Sequence, residues 1–223
     1  MSDLRFYDQL LKFQLFQGLS RSELLQLAGN TKFGFQKLPA GKPVVHEGEQ
    51  SNGLLLLERG ELLITTQSDD RGYSVAEQVH APWVMQPETV FGASPRYTCS
   101  ATTLTETHLI TLSKDEVLRL LNDFLIFRLN LLNLLSTQAQ RRGRRSWQRA
   151  PQSLRERIAR FLLNHCTYPA GHKEFRILMN RLAQEVGDSR LDVSRVLNQM
   201  QSEGLLILRR GRIEVPSLEQ LFM

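Results

Sequence analysis

Leu191, Ser194, Arg195, Asn198 and Ser202, with Arg190 on the flank, share one face of a short stretch whose other face carries Val193, Val196, Leu197 and Met200. The i, i+3, i+4, i+7 spacing of that second set is the signature of a buried helical stripe. A polar, arginine-bearing face opposite such a stripe suits the major groove of DNA, which admits one helix. There a guanidinium can donate to guanine O6 and N7, and a leucine can touch a thymine methyl. Ser189 stands where an N-cap belongs, and Asp192, three residues on, fits the same cap better than a base contact. Further along, Arg209, Arg210 and Arg212 cluster around Gly211 and can hold phosphate. No nucleophile-base pairing, phosphate-cradling loop or metal box accompanies these residues, so the chain is not read as an enzyme and no cofactor is implied. His46, His80, His108, His165 and His172 show no mutual ligand spacing, and Cys99 and Cys166 lie too far apart for a paired or metal-ligand motif.

These side chains need a scaffold. Leu182, Ala183 and Val186 predict a first helix that shares the stripe's core, with Gly187 at a sharp turn where a residue free of a Cβ penalty is required. After Gly204, Leu205 to Leu208 and Ile213 to Val215 read as a hairpin with a basic tip. Together they describe a winged helix-turn-helix, entered through a helix that restarts at Pro151 and buries Leu154, Ile158, Phe161 and Leu162. Upstream, a long helix is expected from Ser113. Val117, Leu121, Phe124, Arg128, Leu131, Leu135 and Gln138 approximate a heptad seam for a second subunit, while Leu118, Leu125, Ile126, Leu129 and Leu132 form another apolar face for the helix's own domain. The basic run Arg141-Arg142-Gly143-Arg144-Arg145, closing with Arg149, falls at a hinge; it is either a solvated linker or an attractor for DNA. From Thr31 to Ser113, short apolar runs broken by turns predict an antiparallel barrel or roll. Residues 4–28 form a helical lead-in with Ser20 and Glu23 as a capping box.

Charge separates these parts. Residues 1–138 hold 12 Lys and Arg against 15 Asp and Glu, a net of −3, whereas residues 139–223 hold 16 against 8, a net of +8. The cation excess points to a polyanionic partner for the C-terminal part alone, since phosphate neutralisation supplies most nonspecific DNA affinity. No apolar run is long enough to span a membrane and no leader pattern is present, so a cytoplasmic protein is expected.

The order Asn180-Arg181-Leu182-Ala183-Gln184-Glu185-Val186-Gly187, Ser189-Arg190, Val193-Ser194-Arg195-Val196-Leu197 and Glu203-Gly204-Leu205 resembles the winged helix of the cyclic-AMP receptor protein and fumarate-nitrate regulator (CRP/FNR) family. A weaker resemblance to that family's cyclic-nucleotide-binding roll runs through Phe16 to Leu19, Leu38 to Gly41, Glu47-Gly48-Glu49, Arg59-Gly60, and Leu104 to Ser113. It implies an α+β chain: a sensory β-roll, jelly-roll-like, over 1–113, a dimerisation helix and hinge over 114–145, and a winged helix-turn-helix over 146–223. It also implies a homodimeric bacterial transcription regulator whose partners are double-stranded DNA and RNA polymerase. Ser189, Arg190, Leu191, Ser194, Arg195, Asn198, Arg209, Arg210 and Arg212 would meet the DNA. The runner-up is a small-molecule-sensing module whose winged helix acts on a protein.

The family's nucleotide pocket carries a Gly-Glu pair and, about eleven residues later, an Arg-Ser pair. Anchoring on Leu104-Thr105-Glu106 places Gln86 and Pro87 at the first pair and Tyr97 and Thr98 at the second. Phe91-Gly92-Ala93 with Arg96 offers another register, but it leaves too few residues for the phosphate-cradling helix and still lacks the acid. Gln86 and Pro87 remove the flexible glycine, the carboxylate and a backbone donor, so cyclic AMP is not the expected effector.

Overall fold

The computed structural model describes residues 2–145, 147 and 149–222. The chain divides into two compact units, one of residues 2–62 with 79–147, the other of residues 63–78 with 149–222. This partition differs from the expected boundaries at 113 and 145. The segment 114–145 groups with the roll, and residues 63–78, expected to belong to the roll, group with the C-terminal part. Ser146 and Gln148 of the expected hinge lie outside the described residues.

The first unit opens with α1 (Ser2–Leu10) and α2 (Arg21–Asn30). Ser20 caps α2 as its sequence predicts: its hydroxyl accepts from Glu23 N, and the Glu23 carboxylate accepts from Ser20 N at 2.8 Å. Eight strands follow in the chain, of which β4 and β5 belong mostly to the second unit: β1 (Gly34–Leu38), β2 (Pro43–Val45), β3 (Gly53–Arg59), β4 (Glu61–Gln67), β5 (Tyr73–His80), β6 (Trp83–Met85), β7 (Ser100–Thr103) and β8 (Thr107–Ser113). One sheet has the antiparallel order β1-β8-β3-β6, and β2 pairs with β7. The expected antiparallel roll is therefore present. Gly53 is needed where β3 meets β8, because a Cβ there would sit 1.9 Å from Leu112 O. The core joins Leu54, Leu56, Ile110 and Leu112 of the sheet to Leu15, Phe16, Leu24 and Leu27 of the lead-in.

Ser113 caps the next helix, its hydroxyl accepting from Glu116 N. The single long helix expected from this point is in fact two, α3 (Lys114–Asp123) and α4 (Leu125–Arg145), separated by Phe124 in an extended conformation with φ −123° and ψ 102°. The expected seam is also corrected. Val117, Phe124 and Leu131 are buried in the unit's own core together with Phe127, and Leu121 and Leu135 pack against it. The outward apolar residues are Leu118, Leu125, Leu129 and Leu132. Two apolar stripes on one helix carry no mark of which one faces home; the roll took the stripe bearing the phenylalanines.

The second unit contains α5 (Leu154–Asn164), β9 (Lys173–Ile177), α6 (Met179–Val186), α7 (Arg190–Ser202), β10 (Ile207–Arg209) and β11 (Arg212–Val215). α5 starts later than the proline predicts, because Ser153 caps it and accepts from Glu156 N. Its core holds Ile158, Phe161 and Leu162 against Leu182, Val186, Val193, Leu197, Met200 and Ile213. The strands lie in the order β10-β11-β9-β5, so the expected wing hairpin is extended by β9 and then by β5.

Candidate DNA-binding face

Two helices and a hairpin position the face. α6 ends at Gly187, whose φ of 64° and ψ of 48° supply the left-handed turn that a Cβ would oppose. Gly187 N donates back into α6, and Asp188 N donates to Ala183 O at 3.0 Å, closing the corner. From α5, Arg157 pairs with Asp188 at this corner, and Arg155 pairs with Glu203 at the far end of α7.

At the start of α7, the Ser189 hydroxyl accepts from Asp192 N at 3.1 Å and donates to the Asp192 carboxylate at 2.7 Å. Asp192 therefore acts as a cap partner. Its second oxygen accepts from Arg195 at 2.7 Å, one turn on, which orders that guanidinium while leaving its side chain 70% exposed. Val193, Leu197 and Met200 face the core, and Arg190, Leu191, Arg195 and Asn198 face outward, Leu191 among the most open of the large apolar side chains. Ser194 is half-buried beneath them, its carbonyl accepting from Asn198 Nδ2 at 2.8 Å. One helix face thus presents two arginines, an amide and a leucine.

The wing is a tight hairpin in which Arg209 pairs with Arg212, leaving Arg210 and Gly211 as the turn. Its arginines are not equivalent, which their sequence clustering conceals. Arg209 donates to Glu214 at 2.8 Å, and Arg212 lies 3.3 Å from Glu174 and 3.7 Å from Glu214. Arg210, exposed at the tip, has no ion pair among the described residues. Glu174 and Glu214 were missed as modulators. Strand pairing brings them beside the arginines, Glu174 directly opposite Glu214, a juxtaposition that linear order does not contain. Between the wing and the helices lies a cavity of about 220 Å³, lined by Ile177, Leu178, Met179 and Ile213 with Arg190 and Arg212 at its rim.

In the other unit, Gln86 and Thr98 are hydrogen-bonded to each other. The Gln86 amide donates to the Thr98 hydroxyl at 2.6 Å and its carbonyl oxygen accepts from Thr98 N at 2.9 Å. Gln86 has a left-handed backbone, φ 31° and ψ 60°, where glycine is favoured, and Pro87 opens a single 3₁₀ turn to Thr89. Tyr97 is buried, and that burial pushes its hydroxyl above the usual phenol range. Arg96 is occupied elsewhere, donating to Gly48 O at 2.7 Å. The amide of Gln86 thus satisfies both the backbone N–H and the hydroxyl of Thr98.

A β-roll with a C-terminal winged helix-turn-helix defines the class of a DNA-binding regulator. The chain matches the family model for the Crp-like helix-turn-helix domain over residues 156–222 and that for the cyclic nucleotide-binding domain over residues 35–124. It is 27% identical to the cyclic AMP receptor protein of Thermus thermophilus over 208 residues, covering 90% of this chain and 91% of that one. Among solved structures, its fold is similar to the catabolite activator protein of Thermus thermophilus, with a TM-score of 0.55 at 24% identity over 94% of this chain and 96% of that one. The sensor domain of the transcriptional regulator DNR from Pseudomonas aeruginosa is similar at a TM-score of 0.54 and 24% identity, over 68% of this chain and 98% of that domain. The chain belongs to the CRP/FNR family of DNA-binding transcription regulators.

Proposed function

We propose that this regulator binds a two-fold symmetric DNA site as a homodimer, reads it with α7, and does so without control by cyclic AMP. The observation that carries the reading is the open face of α7, where Arg195 is ordered by Asp192 and Leu191 projects outward. Arg195 reads a guanine, Leu191 makes an apolar contact such as with a thymine methyl, Asn198 adds an amide, and Arg190 contacts a base or phosphate. Arg210 supplies the wing's phosphate contact, with Arg209 and Arg212 partly neutralised by their carboxylates.

The dimer forms through the outward stripe of α4. Leu125, Leu129, Leu132, Ser136, Ala139 and Gly143 are all exposed and alternate by four and three residues, the spacing of a coiled-coil seam. Large residues fill its first half and small ones its second, which allows the two helices to approach closely toward the DNA-binding end. Half-sites about one helical turn apart follow from the two-fold axis. A promoter-bound dimer would act on RNA polymerase by recruiting or excluding it.

Against cyclic AMP stand the paired Gln86 and Thr98, the proline after Gln86, and a buried tyrosine where an arginine would be required. The test of the base-reading assignment is selection from random duplexes with the wild type and with Leu191→Glu. A glutamate there accepts from cytosine N4, so the two proteins should recover half-sites that differ at one base pair. Recovery of one and the same half-site refutes the role given to Leu191, and failure to enrich any sequence refutes specific binding.

A further inference from the structure

Residues 68–77 precede the DNA-binding part by some seventy residues of sequence, yet their partners lie in it. β5 pairs antiparallel with β9 from Tyr73 opposite Ile177 to Glu77 opposite Lys173. The last pair is ionic: Lys173 Nζ lies 3.0 Å from the Glu77 carboxylate, with both side chains 2% exposed. Glu77 also accepts from Thr167 N at 2.8 Å and from Tyr168 N at 3.2 Å, the segment that leads from α5 toward β9. A charge buried this deeply tolerates only a register that keeps its partner, because removing one member leaves an uncompensated ion.

At the other end of the same strand, Asp70 lies 2.8 Å from Arg181 of α6, and Arg181 is also held by Glu185 at 2.7 Å. Its guanidinium lies 5.7 Å from the centroid of the Tyr73 ring. Tyr73 in turn packs edge-on against Phe161, and its hydroxyl lies 2.9 Å from His165 Nε2. One hairpin therefore grips the strand that carries the wing, the first helix of the helix-turn-helix, and the supporting helix α5.

We propose that the hairpin of residues 63–78 positions the DNA-reading elements, with Glu77 fixing the register of β9 and through it the wing, and Asp70 with Tyr73 fixing α6 and through it α7. None of these residues lies on the face assigned to DNA; they act through Lys173 and Arg181. The proposal rests on the DNA-binding reading given above.

The test uses the full-length protein and two duplexes at one salt concentration, the best sequence from random selection and an unrelated one of equal length. Glu77→Gln leaves Lys173 charged without its counter-ion, and Lys173→Met leaves Glu77 so; each should weaken the selected duplex by about tenfold or more. Binding of the unrelated duplex, which depends on phosphate contacts rather than placement, should change by less than about threefold. Glu77→Gln combined with Lys173→Met removes both charges while keeping an acceptor oxygen for one of the two amides, Thr167 N or Tyr168 N, and should restore a large part of the selectivity. At the exposed end, Asp70→Asn should reduce selectivity in a folded protein and Asp70→Glu should regain it. A hairpin that merely stabilises the unit would lower both affinities together, in proportion to the unfolded fraction seen on melting, and that result overturns the proposal, as does unchanged selectivity in all variants. Hydrogen exchange separates this from failure of the DNA reading. If the wild type discriminates no duplex, the DNA reading falls, while joint loss of amide protection in 173–177 and α6 on Glu77→Gln still assigns those elements to the hairpin; unchanged protection there overturns that assignment too.

Discussion

In the proposed complex, Arg195 and Arg210 carry the same charge and do different work. Arg195 is braced by Asp192 on a helix that fits the major groove, and an ordered guanidinium loses less freedom when it pairs with a base. Arg195→Ala should cost roughly 1 to 3 kcal/mol on the selected duplex and relax selectivity at one guanine. Arg210 stands at the wing tip without an ion pair among the described residues, while Arg209 and Arg212 face Glu214 and Glu174. Arg210→Ala should therefore weaken all duplexes alike and reduce the slope of log K against log salt by about 1, and Arg209→Ala should reduce it less. Binding isotherms across a salt series distinguish the two. The readout fails this assignment if Arg209 and Arg210 prove interchangeable.

Among the elements, α4 is where periodicity was ambiguous and burial decided. Phe124, Phe127 and Leu131 are core residues, so Leu131→Ala should cost about 2 to 5 kcal/mol of stability in urea melts. Leu129→Glu with Leu132→Glu should leave the fold intact and convert the dimer to monomer in sedimentation, because those side chains meet solvent in a single chain. A dimer that survives the double substitution places the interface elsewhere. Carboxylates at the joints of the second unit add a dependence on pH. Hydrogen bonding from Arg155 holds Glu203 below its ordinary range, and the Gly72 amide, the Ser68 hydroxyl and Arg181 do the same for Asp70. Each contribution is complete above the pKa of the unfolded chain, about 4, and disappears as pH falls through the lower folded value. Acid unfolding below about pH 4 should accordingly be less steep in Asp70→Asn and Glu203→Gln than in the wild type, as followed by circular dichroism.

For the whole molecule, the proposed independence from cyclic AMP turns on four residues of the roll, Gln86, Pro87, Tyr97 and Thr98. Calorimetry with cyclic AMP or cyclic GMP should show no micromolar binding, because the anion would have to displace the Gln86 amide from Thr98 and find no arginine at Tyr97. Micromolar binding abolished by substitution at Tyr97 would instead return the pocket to nucleotide control. Much of this was legible in order and spacing alone. Local signals marked the caps at Ser20, Ser113 and Ser189, the turn at Gly187, the stripe of α7 and the wing, since each depends on residues a few positions apart. Three decisions belonged to the tertiary structure. Which stripe of α4 faces the core depends on the shape of the roll that receives it. The neutralising of Arg209 and Arg212 depends on strands brought together from residues 174 and 214. The hairpin's place beside β9 depends on two charges, Glu77 and Lys173, each in the inward phase of its strand beside Val75 and Phe175. A buried charge read alone looks like a defect in an apolar pattern; only the fold supplies the opposite charge, from nearly a hundred residues away, that makes it a contact.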